Sequence, residues 1–103
     1  MDTQGQIRVV KEIVKDYLDE NEQFNGLHPL SLLDKSHIIS IGTSILCTKW
    51  DIGYGIGGSF VQSVVDNDLR EAIGRADETN LKALKFYCQL MYNVGKPIFD
   101  YIE

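Results

Sequence analysis

Cysteine, proline, histidine and arginine are all scarce in this chain, and each shortage removes a class of explanation. Cys47 and Cys88 stand far apart in the apolar stretches Ile-Leu-Cys-Thr and Phe-Tyr-Cys-Gln, with no Cys-x-x-Cys pair. Both read as buried small hydrophobes, neither disulfide-bonded nor reactive, and this implies a reduced, cytoplasmic setting. Arg8, Arg70 and Arg75 are the arginines and form no run, while a net charge of −5 and a pI near 4.9 have the wrong sign for wrapping nucleic acid. No apolar run approaches the roughly 18 residues of a membrane helix, and the first residues lack the apolar stretch of a secretory signal.

The residues of common catalytic and metal sites are equally sparse. His28 and His37 have no Cys, Asp or His partner at the short spacing of a zinc or hydrolase motif, and no Gly-x-Ser-x-Gly occurs. Asp66, Asp68, Glu71, Asp77 and Glu78 fall within thirteen residues, but Asp66 and Asp68 at i, i+2 point to different sides of a helix. A solvated, capped face is expected there, with no metal and no cofactor. Nothing in the chain supports an enzyme.

What remains is an ordinary globular composition: 103 residues, 44% apolar and 24% charged, enough for one domain over 1–103. Ile7, Val10, Ile13, Val14, Tyr17 and Leu18 recur at helical spacing and predict a first helix over 3–21, with Lys11, Lys15, Asp16 and Asp19 on its polar side. Residues 29–50 fit a second helix, although 37–41 are β-branched enough for a strand; the length of the pattern favours helix. Ser36, Ser40, Gly42, Thr43 and Ser44 give that element a small-residue face that suits close approach of another helix or a shared interface. A third helix is predicted from Ser59, as its cap, to a stop at Gly74. A fourth, capped within 77–80, buries Leu81, Leu84, Phe86, Tyr87, Leu90, Met91 and Val94 and stops at Gly95 and Pro97. The expected fold is all-α, a single domain of about four helices, with a glycine-rich loop between the second and third.

That loop, Trp50-Asp-Ile-Gly-Tyr-Gly-Ile-Gly-Gly-Ser-Phe60, holds four of the nine glycines. Gly53-x-Gly55-x-x-Gly58 matches the letters of the dinucleotide fingerprint but lacks its strand–helix–strand context, and no Gly-Lys-Ser or Gly-Lys-Thr phosphate loop occurs. Two readings stay open. In one, the glycines only turn the chain, with Tyr54 and Ile56 folding over the core. In the other, backbone N–H groups around Gly55, Gly57, Gly58, Ser59 and Phe60 cradle an anion, with Arg70 and Arg75 the nearest cations in sequence. The aromatics Phe86, Tyr87, Tyr92, Phe99 and Tyr101 read as core rather than as a base-stacking platform. The segment after Pro97, containing Phe99 and Tyr101, is too apolar for a free end; with Ser40 and Ser44 it is the candidate interface of a homo-oligomer.

The run Lys49-Trp-Asp-Ile-Gly-Tyr-Gly-Ile-Gly-Gly-Ser-Phe-Val-Gln62, followed by Asp66-Asn-Asp-Leu69, Gly74-Arg-Ala-Asp77, Phe86-Tyr87 and Tyr92-Asn-Val-Gly-Lys-Pro97, resembles small uncharacterised accessory proteins of bacteriophages and prophages over about half the chain. The resemblance brings no activity and no catalytic residue. It implies a class of job, the binding of a host or phage macromolecule. The sequence therefore points to a small cytoplasmic interaction or regulatory protein, the alternative being a small-ligand or nucleotide binder, or an enzyme, that uses the 53–59 loop as an anion cradle.

Overall fold

The computed structural model describes residues 2–21, 31–53 and 58–97, and within them finds six α-helices and no strand. Helix α1 spans Thr3–Asn21, as its periodicity predicts. Asp2 Oδ1 accepts the Gly5 N–H at 2.7 Å to cap it, and Val10, Val14 and Leu18 form a fully buried i, i+4, i+8 stripe. Helix α2, Leu32–Lys49, is continuous through 37–41, so the strand alternative is excluded. Ser31 caps it by accepting the Asp34 N–H at 3.0 Å, with Asp34 in the first turn and Lys49 in the last.

α2 ends in a Schellman motif built without glycine. Asp51 takes a left-handed φ of 58°, Ile52 N–H donates to the Cys47 carbonyl at 2.8 Å, and Asp51 N–H donates to Thr48 at 3.3 Å. The same motif ends helix α3, Ser59–Val65, where Asn67 sits at φ 60°, Asp68 N–H donates to Ser63 at 2.8 Å and Asn67 N–H to Val64 at 3.1 Å. Asp68 then caps helix α4, Leu69–Arg75, accepting the Glu71 N–H at 3.2 Å. The tripeptide Asp66-Asn-Asp68 thus closes one helix and opens the next, which is why the predicted third helix is two. Asn67→Val is expected to lower stability by about 1–2 kcal/mol, since a β-branched residue is strained in the left-handed region, while Asn67→Gly holds or raises it. Equal melting temperatures for the two variants would contradict this.

The predicted fourth helix also divides, into α5, Glu78–Lys82, and α6, Leu84–Asn93. Asp77 caps α5 by accepting the Asn80 N–H at 2.7 Å. Ala83, with φ −90° and ψ 1°, ends one helix and starts the other while fully buried. Among the described residues six helices replace the expected four, and the all-α class stands. Two finer expectations are corrected: Gly58 and not Ser59 is the N-cap of α3, and α4 runs past Gly74 to Arg75.

α2 runs back along α1, so that Asp19 near the end of α1 meets Lys35 near the start of α2, Oδ1 to Nζ 3.4 Å. Gly42 lies where the two helices meet α6: a Cβ there would stand 2.8 Å from Val14 Cγ1 and 3.2 Å from Leu90 Cδ2. α6 closes the core with Phe86, Tyr87 and Leu90, all fully buried. Its end is tied down by Lys49 Nζ donating to the Met91 carbonyl at 2.6 Å and by Asn93 Nδ2 donating to Tyr17 Oη at 3.0 Å. α3 contributes Phe60, Val61 and Val64 to the same core.

Candidate interaction groove

The flank of α1 beside its buried stripe carries Ile7, Lys11, Lys15 and Asp19, each one turn beyond the last. Facing it, α2 presents Ser36, Ser40 and Ser44, again one turn apart, with Leu32, Lys35, Ile39 and Thr43 beside them. Small side chains on α2 opposite long ones on α1 leave an open groove of ≈ 820 Å³ between the helices. Thr43 donates its hydroxyl to the Ile39 carbonyl at 2.7 Å, so its polar atom needs no external partner. Ile7 and Ile39 give the groove apolar surface, and three lysines against one aspartate give it positive charge. Among the described residues neither Lys11 nor Lys15 has an ion-pair partner. At the end where α2 begins, Leu32 is 86% exposed and the adjacent Leu33 84% exposed. Paired exposed leucines beside a charged groove suit a contact surface better than bulk water.

Ser40 and Ser44, expected at an interface, both line this groove. Lys11 and Lys15 were missed by sequence reasoning because they fall on the polar side of an amphipathic pattern. The detectable signal was the register, since Ile7-x-x-x-Lys11-x-x-x-Lys15 runs alongside the apolar stripe and not opposite it.

The glycine loop is described only in part. Gly55, Gly57, Tyr54 and Ile56 lie outside the described residues, as do His28, Phe99 and Tyr101. Gly53, at φ 85°, holds a conformation that a side chain would strain. Gly58 is exposed at φ −80°, with no heavy atom within 4 Å of an added Cβ and no side-chain cap on α3. Phe60 belongs to the core, edge-on to Tyr87 with ring centroids 5.9 Å apart. Arg75 Nε is held by Glu71 Oε2 at 2.9 Å, and Arg70 is exposed on the same helix. Among the described residues no hydrogen bond or ion pair joins either arginine to residues 58–60.

Two of the five acidic residues are helix caps, Asp68 on α4 and Asp77 on α5, Glu71 pairs with Arg75, and no group of three or more potential metal ligands occurs among the described residues. Asp77 also anchors a polar network. Its Oδ2 stands 3.3 Å from the solvent-shielded His37 Nε2, without hydrogen-bond geometry, and the capped Asn80 accepts the Tyr87 hydroxyl at 2.8 Å. Thr79 Oγ1 donates to Asp34 Oδ1 at 3.4 Å, so α5 is tied to both α2 and α6. Burial first, and the Asp77 charge second, push the Tyr87 phenol well above its ordinary value. A phenol so held is a structural donor and not an acid or base for chemistry near neutral pH.

Cys47 is buried as expected, whereas Cys88 is exposed, because Phe86, Tyr87 and Leu90 take the inward positions of α6. Desolvation nonetheless raises both thiols, which opposes thiolate formation. No helix among the described residues is long and apolar enough to cross a membrane. Comparison with protein-family models, with curated proteins and with solved structures finds no match. The functional reading therefore stands on the geometry of the groove.

Proposed function

We propose that this chain is a protein-interaction module that engages a macromolecular partner through the groove between α1 and α2. The observation that carries the reading is a basic, partly apolar groove on a chain whose net charge is −5. Local charge opposite to the global charge steers one class of partner and repels others. The resemblance to bacteriophage accessory proteins fits a cytoplasmic role of this kind, carried out by binding and without catalysis.

The anion reading of residues 53–59 rests on exposed Gly58, which leaves the first turn of α3 without a side-chain cap. It has less support, because α3 has only seven residues and Arg75 is already paired with Glu71. One comparison separates the two. Wild type purified from its native host is expected to retain a protein partner in fixed stoichiometry, with the partner lost from Lys11→Glu/Lys15→Glu and kept by Gly58→Ala. A partner indifferent to the groove substitutions would overturn the interaction reading. Saturable thermal stabilisation by millimolar phosphate, lost in Gly58→Ala, would replace it with the anion site.

A further inference from the structure

We propose that the groove receives segment 98–103 of a second copy of this chain, an inference that rests on the interaction reading above. The groove cannot pair with itself: a two-fold contact would set Lys11, Lys15 and Lys35 against their own copies, with Asp19 already drawn to Lys35 at 3.4 Å. Its occupant must therefore be a different surface, acidic and apolar together. Segment 98–103 has that chemistry, with Ile98, Phe99, Tyr101 and Ile102 around Asp100 and Glu103 and no basic residue. Neither 22–30 nor 54–57 matches it, since the first holds a single carboxylate, Glu22, and the second is uncharged.

Occupancy by the same chain's segment is the competing arrangement, and it would leave the protein monomeric. The apolar side chains would meet Ile7 and Ile39, and the two carboxylates would meet Lys11 and Lys15.

Light scattering at micromolar concentration tests this with two charge-reversed proteins. Wild type is expected at no less than twice 11.7 kDa. Lys11→Glu/Lys15→Glu and Asp100→Lys/Glu103→Lys are each expected to weaken assembly at least tenfold and to scatter as monomers. Mixed together they are expected to regain the wild-type mass, because each groove then meets a segment of opposite charge. Ser40→Arg, which fills the groove from an exposed position, is the second variant and is expected to be monomeric with an unchanged helical circular dichroism spectrum. A monomeric wild type, assembly unmoved by these substitutions, or a mixture that stays monomeric would overturn the inference. If wild type is monomeric yet still retains a groove-dependent foreign partner, this inference fails and the interaction reading survives; loss of both would end both.

Discussion

Gly42→Ala is expected to destabilise the protein by about 1–2 kcal/mol, although the substitution removes a glycine from the middle of a helix. Helix propensity alone predicts a gain of about 1 kcal/mol. Against it stands a contact: the new methyl would lie 2.8 Å from Val14 Cγ1 and 3.2 Å from Leu90 Cδ2. Val14 is β-branched with one favoured rotamer in a helix, and both neighbours are fully buried, so neither can swing away. Overpacking of this kind costs about 1–3 kcal/mol and outweighs the propensity term. Thermal unfolding should show a fall of several degrees, at about 4–8 °C per kcal/mol for a domain of this size. Val14→Ala is expected to recover part of that loss when combined with Gly42→Ala, so the two changes should be markedly non-additive. A stabilised Gly42→Ala would mean that α1, α2 and α6 do not meet as closely as described.

The same residue shows what could be read from the sequence and what could not. A cluster of small residues on the second helix signalled a close approach, and Gly42 is where it occurs. Which small residues turn inward was not legible, because Gly42 and Thr43 are buried while Ser36 and Ser40 of the same cluster face the groove. The bounds of α1 were legible because its apolar stripe is uninterrupted. The two helix breaks were not. Asn67 reaches the left-handed region without glycine, and the bend at buried Ala83 contains neither glycine nor proline. Leu81 was expected on the buried face of one long helix and is 50% exposed, since the break at Ala83 takes α5 out of line with the buried face of α6.

Of the candidate site, the sequence offered Ser40 and Ser44 but not the lysines opposite them. A groove exists only when two elements are placed side by side, and single-helix periodicity carries no information on which polar flank will face a neighbour. Phe60 shows a role that the loop reading did not use. Its backbone was considered as an anion donor, whereas its ring helps to hold Tyr87 in the core.

Alkaline pH is expected to unfold this protein, with Tyr87 as a principal cause. In the folded state its hydroxyl donates to Asn80 Oδ1 in a buried pair, and burial together with Asp77 raises its pKa above the ordinary value near 10. A group whose folded pKa is raised keeps its proton where the unfolded chain has released it. The unfolded state then binds fewer protons, and stability falls as pH rises. The stabilising term is complete below the unfolded pKa and is lost as pH climbs toward the folded one, at up to about 1.4 kcal/mol per pH unit. Cys47 and Cys88, both raised by desolvation, add the same sign from about pH 9. Tyr87→Phe separates the two roles of the hydroxyl. At pH 7 it is expected to cost about 1–3 kcal/mol, because Asn80 Oδ1 loses its buried donor. Between pH 9 and 11 the variant should lose stability less steeply than wild type, so the two denaturation curves converge. Urea unfolding at pH 7, 9, 10 and 11 measures both effects. Equal alkaline slopes in the two proteins would show that the Tyr87 phenol is not protected by the fold.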